Sequence, residues 1–209
     1  MMLLVDIGNT AVKWALHESG KRLEGGRVVH RGQDITSVFT AAWAELYKPE
    51  RVVVANVAGE AVAASLTDWT EKHWSLQPQF MQTGKAAGGV SNAYENPADL
   101  GVDRWMALLG AHHLIDGPVC VIDCGTAITI DLLSAGGQHL GGVILPGVGL
   151  LKGVLLEETV NLLSTQGGRT PEPVATRTGA AVHSGAVHMA VAASDRIDAS
   201  HVARQGDAH

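Results

Sequence analysis

The sequence predicts an α/β fold of two related lobes, and two observations indicate it. Apolar segments typical of strands alternate with segments of helical period, as they do in α/β proteins. A strand–turn–strand pattern also occurs twice, as LLVDIGNTAVKWAL and as VCVIDCGTAITIDLL. Each copy carries an apolar run, an Asp-x-Gly turn, a Thr-Ala pair and a second apolar run, and the first copy has one extra residue, Asn9. Such internal duplication predicts two lobes of the same architecture.

The first half of the chain contains both strand and helix signals. Apolar runs bounded by turn residues predict four strands, at 3–5, 11–16, 27–30 and 51–57, of which the third is the weakest. Apolar residues at helical spacing predict two helices, at 36–47 and 59–74. The polar, glycine-rich region 77–96 shows no period, so we expect a loop with one or two short elements.

The helix over 101–115 is the clearest in the sequence, because Trp105, Leu108, Leu109 and His112 share one helical face. The HHLIDGP segment then interrupts the pattern, which predicts an N-terminal lobe at 1–114 and a C-terminal lobe at 115–209. Further elements of the second lobe are predicted as strands within 118–133 and 141–147 and helices at 149–163 and 179–196. The small-residue face of the last helix suits either internal packing or a subunit interface.

Composition narrows the functional classes. The chain has 209 residues, 46% of them hydrophobic, a net charge of −6 and a pI near 5.9. An acidic chain lacks the basic patch that nucleic-acid binding needs, so we expect no nucleic-acid partner. The two cysteines suit a reducing compartment. No apolar stretch approaches the roughly 20 residues of a membrane helix, and no basic segment precedes the first apolar run, so we expect a cytoplasmic protein without a membrane partner.

The first turn has residues suited to binding a phosphate group. Glycine has no Cβ, so Gly8 lets backbone N–H groups approach anionic oxygens. Asp6 would repel phosphate by itself and makes chemical sense beside a cation, most simply the Mg²⁺ that accompanies ATP. On this interpretation Asp6 holds the metal, Gly8–Thr10 bind phosphate oxygens and Lys13 adds positive charge. The simpler alternatives are an ordinary turn and a solvated lysine on a strand.

Asp103 and Arg104 lie in the first turn of the clear helix. The helix dipole favours an ionised carboxylate there, which could accept the proton of a substrate hydroxyl during phosphoryl transfer. Arg104 could bind a substrate carboxylate through two hydrogen bonds. The simpler alternative is a helix-starting aspartate followed by a surface arginine, with Tyr94 as a packing residue.

Four motifs together resemble those of the type III pantothenate kinases. They are DIGNTAVK at 6–13, LGVDRW at 100–105, DCGTAITID at 123–131 and GGVILPG at 141–147. Order and spacing both match, from Met2 to about Gly185. The family belongs to the acetate-kinase/sugar-kinase/actin-like superfamily, so the resemblance implies two ribonuclease-H-like lobes with mixed β-sheets flanked by helices.

The resemblance also implies an activity and a set of site residues. The activity is ATP-dependent phosphorylation of pantothenate, the first step of coenzyme A synthesis, with Asp103 as general base on the primary hydroxyl. Asp6 would lie close to Mg²⁺, and Asp123 would bind the monovalent cation, K⁺ or NH₄⁺. The implied ATP-binding residues are Asp6, Ile7, Gly8, Asn9, Thr10, Ala11, Val12, Lys13 and Thr126. The implied pantothenate-binding residues are Tyr94, Gly101, Val102, Asp103, Arg104 and Thr178. Members are homodimers, so we expect a homodimer.

Two other functions stay open at this point. The chain ends at RQGDAH, whereas family members usually continue to a further strand, a Gly-Gly turn and a final helix, so we expect either a truncated sequence or a reduced last segment. A non-catalytic accessory or regulatory protein of the same family is therefore an alternative, as is a kinase for another small hydroxy-acid. Asp6, Asp103 and Asp123 together favour the enzyme, because a binding protein has no need of a general base.

Overall fold

The computed structural model describes residues 1–158 and 170–206. This chain forms two compact units. The first comprises Met1–Ala87 and Tyr94–Leu109, and the second comprises Gly88–Ala93 and the chain from Gly110 onward. The last boundary between the units thus falls between Leu109 and Gly110, inside the helix Val102–Leu114. It lies five residues before the predicted lobe boundary after residue 114.

The first unit contains a five-stranded sheet. Up to residue 80 its elements are β1 (Met2–Ile7), β2 (Ala11–Glu18), β3 (Lys21–Val29), α1 (Ile35–Trp43), β4 (Arg51–Asn56), α2 (Glu60–Trp74) and β5 (Gln79–Phe80). The sheet order is β3-β2-β1-β4-β5. The first three strands form an antiparallel meander, and β4 and β5 add in parallel. The sheet is mixed because short turns join antiparallel neighbours, whereas helical crossovers bring parallel strands alongside.

Alternation along β1 places the core on one face of this sheet. Leu3, Val5 and Ile7 are 0%, 3% and 0% exposed, and they pack against the apolar faces of α1 and α2. The few aromatic residues of the chain are concentrated here: Trp43 stacks on Phe39 with ring centroids 5.0 Å apart and meets Trp69 edge-on at 5.6 Å. Edge-on and stacked pairs of this kind stabilise a core beyond their buried area.

The third strand is longer than predicted, running over Lys21–Val29 instead of 27–30. Ser19 and Gly20 both have positive φ, 49° and 81°, as a type I′ hairpin turn requires. This turn pairs Glu18 directly with Lys21, so β3 is held along its whole length by β2 in spite of its polar, glycine-containing sequence. Helix α1, in contrast, ends at Trp43 instead of 47.

Helix α1 has a carboxylate cap at its N-terminus. Asp34 Oδ2 accepts hydrogen bonds from the Ser37 hydroxyl at 2.7 Å and the Ser37 amide at 2.9 Å. These bonds hold the pKa of the Asp34 carboxyl below its ordinary value. A depressed pKa in the folded state stabilises the fold above the ordinary pKa, and this contribution is lost as the pH falls through the folded-state pKa.

We therefore expect Asp34→Ala to lower the urea midpoint of unfolding at pH 7, and the difference from wild type to shrink in acid, at about pH 3. Urea unfolding followed by circular dichroism at both pH values measures this. Asp68→Ala, which removes an exposed carboxylate from the interior of α2, is the matched control and should show no such loss. A pH-independent difference for Asp34→Ala would contradict the prediction.

The region predicted as a loop with short elements contains, after β5, two two-residue strands, β6 (Ala86–Ala87) and β7 (Val90–Ser91). A 3₁₀ turn at Pro97–Asp99 follows, with the Asn96 side chain as its cap. Helix α3 then spans Val102–Leu114, in agreement with the predicted helix at 101–115.

The second unit repeats the strand meander. Its strands are β8 (Val119–Cys124), β9 (Ala127–Leu133) and β10 (His139–Pro146), antiparallel in the order β10-β9-β8, and its helices are α4 (Val148–Glu158) and α5 (Thr178–Gly206). The part of the predicted helix 149–163 that follows Glu158, including Leu162, lies outside the described residues. The predicted α/β class, with sheets flanked by helices, is confirmed. The sheet of the first unit is mixed, as predicted, whereas the three-stranded sheet of the second unit is antiparallel throughout. In the described part of the chain, no helix has both the length and the apolar character needed to cross a membrane.

A buried polar pair links two strands of the second unit. His139 and Asp131 are 1% and 2% exposed, and His139 Nε2 donates to Asp131 Oδ1 at 2.9 Å. The backbone N–H of Ala93 points at His139 Nδ1 from 3.5 Å, which favours the tautomer with its hydrogen on Nε2. A buried carboxylate is stabilised only when such donors reach it, so the pair fixes β9 and β10 to each other.

Candidate functional site

The first Asp-x-Gly turn joins β1 to β2 at the carboxyl end of β1. Gly8 N–H donates to Ala11 O at 3.1 Å and closes the turn. Gly8 and Thr10 are half-buried and Asn9 is exposed. The side chains of Ile7, Ala11 and Val12 are buried in the core, at 0%, 6% and 1% exposure. Any contact these three make with a ligand therefore runs through their main chain.

Asp6 and Lys13 face each other across the hairpin. They occupy paired positions on β1 and β2, and Lys13 Nζ lies 3.2 Å from Asp6 Oδ2. Their side chains are 38% and 50% exposed. The pair thus puts one negative and one positive group, both open to solvent, beside the turn. The alternative of a lysine that is merely solvated is incomplete, since the ammonium has a carboxylate partner.

The first turn is also held from outside the hairpin. Val57 N–H donates to Ile7 O at 2.9 Å. Thr10 O accepts from the backbone N–H groups of His30 at 2.9 Å and Arg31 at 3.3 Å. The His30 ring reaches further, and its Nε2 lies 2.7 Å from Gly8 O. Sequence reasoning missed His30, because it stands 22 residues away with no motif to mark it.

The second Asp-x-Gly turn joins β8 to β9. Gly125 N–H donates to Ala127 O at 2.9 Å, and Gly147 N–H donates to Thr126 O at 2.8 Å. Asp123, Gly125 and Thr126 are all exposed. This turn therefore presents a carboxylate, a glycine backbone and a threonine to solvent, the same set as in the first unit without the extra asparagine.

The two turns share a bracing hydrogen bond. In each unit, the first residue after the third strand of the meander donates its N–H to the carbonyl of the turn threonine: His30 to Thr10, and Gly147 to Thr126. The duplication seen in the sequence therefore extends to a contact that the motifs do not encode. That the two turns bind one triphosphate stays a prediction.

The N-terminus of α3 holds the predicted base. Asp103 is half-buried, and its Oδ1 accepts the Arg104 N–H at 2.8 Å. A Cβ on Gly101 would lie 2.6 Å from this Oδ1. A side chain at 101 would therefore displace this carboxylate from its present position, which gives a steric reason for a glycine two residues before Asp103.

Arg104 is not a surface residue, so the part of the alternative interpretation that placed it at the surface is wrong. It is 6% exposed. Its Nη1 donates to the Tyr94 hydroxyl at 2.9 Å, and its guanidinium carbon lies 5.6 Å from the centre of the Tyr94 ring. A guanidinium held in a fixed orientation by an aromatic ring is suited to binding a planar carboxylate.

A cavity of about 650 Å³ lies in the first unit. Asp6 and Lys13 line it beside the sheet residues Leu4 and Ala55, and Met106 lines it from α3. Met106 is one helical turn after Asp103, on the same face of the helix. The Asp6–Lys13 pair, which flanks the first turn, and the α3 helix therefore border one concave space with a mostly apolar wall.

Thr178, the last predicted site residue, belongs to the second unit. It is exposed and begins α5. The preceding segment is tied to the helix, because Glu172 N–H donates to Ser184 Oγ at 2.9 Å and Arg177 pairs with Glu172 at 3.3 Å. Its role towards a substrate stays a prediction.

Known proteins with similar sequences point to one family. The type III pantothenate kinase family matches residues 2–199. Type III pantothenate kinases of Nitrosococcus oceani and Nitrosospira multiformis are each 40% identical to the chain, over 94% and 95% of it and over 76% and 74% of their own lengths. That of Dechloromonas aromatica is 37% identical over 94% of the chain and 80% of its own length.

Among solved structures, a protein of Campylobacter jejuni described as a conserved Baf family transcriptional activator has a TM-score of 0.54. It is 23% identical and covers 92% of the chain and 78% of its own. This likeness concerns the fold alone. The family match, which covers nearly the whole sequence, goes further: the chain belongs to the type III pantothenate kinase family.

Proposed function

We propose that the chain transfers the γ-phosphoryl group of ATP to the primary hydroxyl of pantothenate, giving 4'-phosphopantothenate and ADP, with Asp103 as the general base. Family membership makes it an ATP-dependent kinase of pantothenate in coenzyme A biosynthesis. The observation that supports the residue roles best is the cluster at the start of α3. There a half-buried carboxylate adjoins a buried arginine that the Tyr94 hydroxyl holds in place.

In the proposed reaction the pantothenate hydroxyl oxygen attacks the γ-phosphorus while its proton passes to Asp103. The bond between the γ-phosphorus and the bridging oxygen breaks, and ADP leaves. Phosphoryl transfer depends mainly on positioning and on charge stabilisation. Arg104, fixed by Tyr94, would bind the pantothenate carboxylate, and the backbone of Gly101 and Val102 would complete that side of the substrate site together with Thr178.

The turns would bind the triphosphate. Gly8, Asn9 and Thr10 offer backbone and side-chain donors, Lys13 offers an ammonium, and Thr126 offers a second donor set. Ile7, Ala11 and Val12 would contribute main-chain groups, because their side chains are buried in the core.

The acidic residues fit the cations that the family resemblance implies. Asp6 is a hard oxygen donor open to solvent, the kind of ligand that Mg²⁺ accepts alongside phosphate oxygens and water. It would hold Mg²⁺ directly or through water, and the exposed Asp123 would hold the monovalent cation, K⁺ or NH₄⁺. When bound, the cations neutralise phosphate charge and orient the triphosphate.

We expect the chain to form a homodimer in the cytoplasm. The family resemblance implies a homodimer, and α5, which carries the half-exposed apolar side chains of Met189 and Val191, is the helix we propose as a contact between subunits. Use of ATP as phosphoryl donor is in accord with a cytoplasmic location.

The direct test is a coupled assay of ADP release with pantothenate and a panel of other small hydroxy-acids, each with and without K⁺. We expect pantothenate to support turnover, a product heavier by one phosphoryl group in mass spectrometry, and slower turnover when Na⁺ replaces K⁺. Turnover with another hydroxy-acid and none with pantothenate would indicate the alternative function, a kinase for another small hydroxy-acid. Nucleotide binding without turnover of any substrate would indicate the regulatory protein.

A further inference from the structure

We propose that His30 is a positioning residue for the nucleotide: its imidazole fixes the peptide between Gly8 and Asn9 so that the turn offers the Asn9 N–H to a phosphate oxygen. This inference rests on the proposed role of the first turn in ATP binding. No motif includes His30, which lies just after β3 and not within the turn itself.

The hydrogen bond has a defined direction. His30 Nε2 lies 2.7 Å from Gly8 O, and a carbonyl oxygen can only accept. The ring therefore carries its hydrogen on Nε2 and donates to Gly8. Since the peptide unit is planar and trans, fixing this carbonyl also fixes the N–H at the other end of the same unit, that of Asn9, in the opposite direction.

His30 is itself held rigidly. Its backbone N–H donates to Thr10 O at 2.9 Å, and its carbonyl accepts Gln33 N–H at 2.9 Å. This last bond closes a turn over residues 30–33. Within that turn Gly32 has a φ of +79°, as the third residue of a type II turn requires. The ring thus reaches Gly8 from a backbone anchored on both sides, so it can impose an orientation on the turn instead of following its movements.

The second unit explains why the first needs a side chain here. Gly147 stands in the position of His30, and a Cβ on it would come 2.2 Å from Gly125 O, the carbonyl that corresponds to Gly8 O. In the second unit, therefore, the backbone of Gly147 packs directly against the turn between β8 and β9. The first turn is one residue longer, because of Asn9, and a longer turn has more conformations to restrict. The imidazole supplies that restriction.

The test compares His30→Leu, which removes the donor, with His30→Gln, whose amide nitrogen can take the place of Nε2. Binding of Mg·ADP is measured by calorimetry, and KM is measured for ATP and for pantothenate. We expect His30→Leu to raise the Kd for Mg·ADP about tenfold. The KM for pantothenate should change less than about twofold, and His30→Gln should recover most of the affinity.

A matched control is His73→Leu, which removes another histidine–carbonyl bond, from Nδ1 to Trp69 O at 2.8 Å on α2, and should leave nucleotide binding unchanged. The inference is overturned if His30→Leu binds Mg·ADP like wild type, if His30→Gln restores nothing, or if the wild-type protein binds no nucleotide. Wild-type protein that binds Mg·ADP but does not phosphorylate pantothenate would refute the proposed function alone, because the Kd comparison still decides the role of His30.

Discussion

Asp103→Asn is expected to lower kcat for pantothenate phosphorylation by about 10²–10⁴-fold, the range that general bases contribute. Asparagine has nearly the same shape, and its Oδ1 can still accept the Arg104 N–H that Asp103 now accepts at 2.8 Å. What it loses is the ability to take a proton from the substrate hydroxyl. The coupled ADP-release assay measures kcat, and calorimetry should find Mg·ADP binding unchanged.

Asp99→Asn provides a control close by. Asp99 is exposed in the 3₁₀ turn before α3, where its Oδ1 accepts from Asn96 Nδ2 at 2.8 Å. The substitution removes the same charge four residues earlier, so it should leave kcat within about twofold of wild type. Equal losses in both variants would assign the effect to net charge near α3, and an undiminished kcat in Asp103→Asn would remove the general-base role.

Most of the fold could be predicted from the sequence, because its elements have local signals. Buried strands such as β1 are apolar runs, and α3 shows the helical period clearly. The length of β3 could not be predicted in this way. Its residues from Lys21 to Gly26 lack an apolar alternation, and they are strand only because the Ser19–Gly20 turn pairs them with β2.

The candidate site likewise has a part that could be predicted from the sequence and a part that could not. Motifs that are continuous in sequence, Asp6–Lys13 and Gly101–Arg104, could be recognised, and the chemistry of their residues is local. The burial of Arg104 could not, because it depends on Tyr94, which lies in a segment without periodicity. The contacts of His30 with Gly8 and of Gly147 with Thr126 join residues about 20 apart in sequence, so only the folded meander reveals them.

Gly147→Ala is expected to have the second large effect. A Cβ at 147 would lie 2.2 Å from Gly125 O and 2.7 Å from Thr126 O. Backbone atoms cannot rotate away as a side chain can, so the start of α4 must move off the turn and the bond from Gly147 N–H to Thr126 O, now 2.8 Å, must lengthen. We expect the free energy of unfolding to fall by about 1–3 kcal/mol and kcat/KM for ATP by about 100-fold.

Gly149→Ala separates a steric effect from a general effect of alanine in α4. Gly149 is exposed, and among the described residues a Cβ placed there would meet no atom within 4 Å other than those of its chain neighbours and of its own helical backbone. Alanine is the better helix former, so this variant should gain about 0.5–1 kcal/mol of stability and keep its activity. Urea unfolding and steady-state kinetics with both variants measure the contrast, and wild-type kinetics in Gly147→Ala would exclude the second turn from nucleotide binding.

The two large effects should differ in kind as well as in size. Asp103 is proposed to act on the substrate hydroxyl during the reaction, so its loss lowers kcat with little change in the KM for ATP. Gly147 supports the turn that carries Thr126, so its substitution should raise the KM for ATP while the KM for pantothenate stays within about twofold of wild type. If the second turn bound pantothenate instead of nucleotide, the pattern for Gly147→Ala would be reversed.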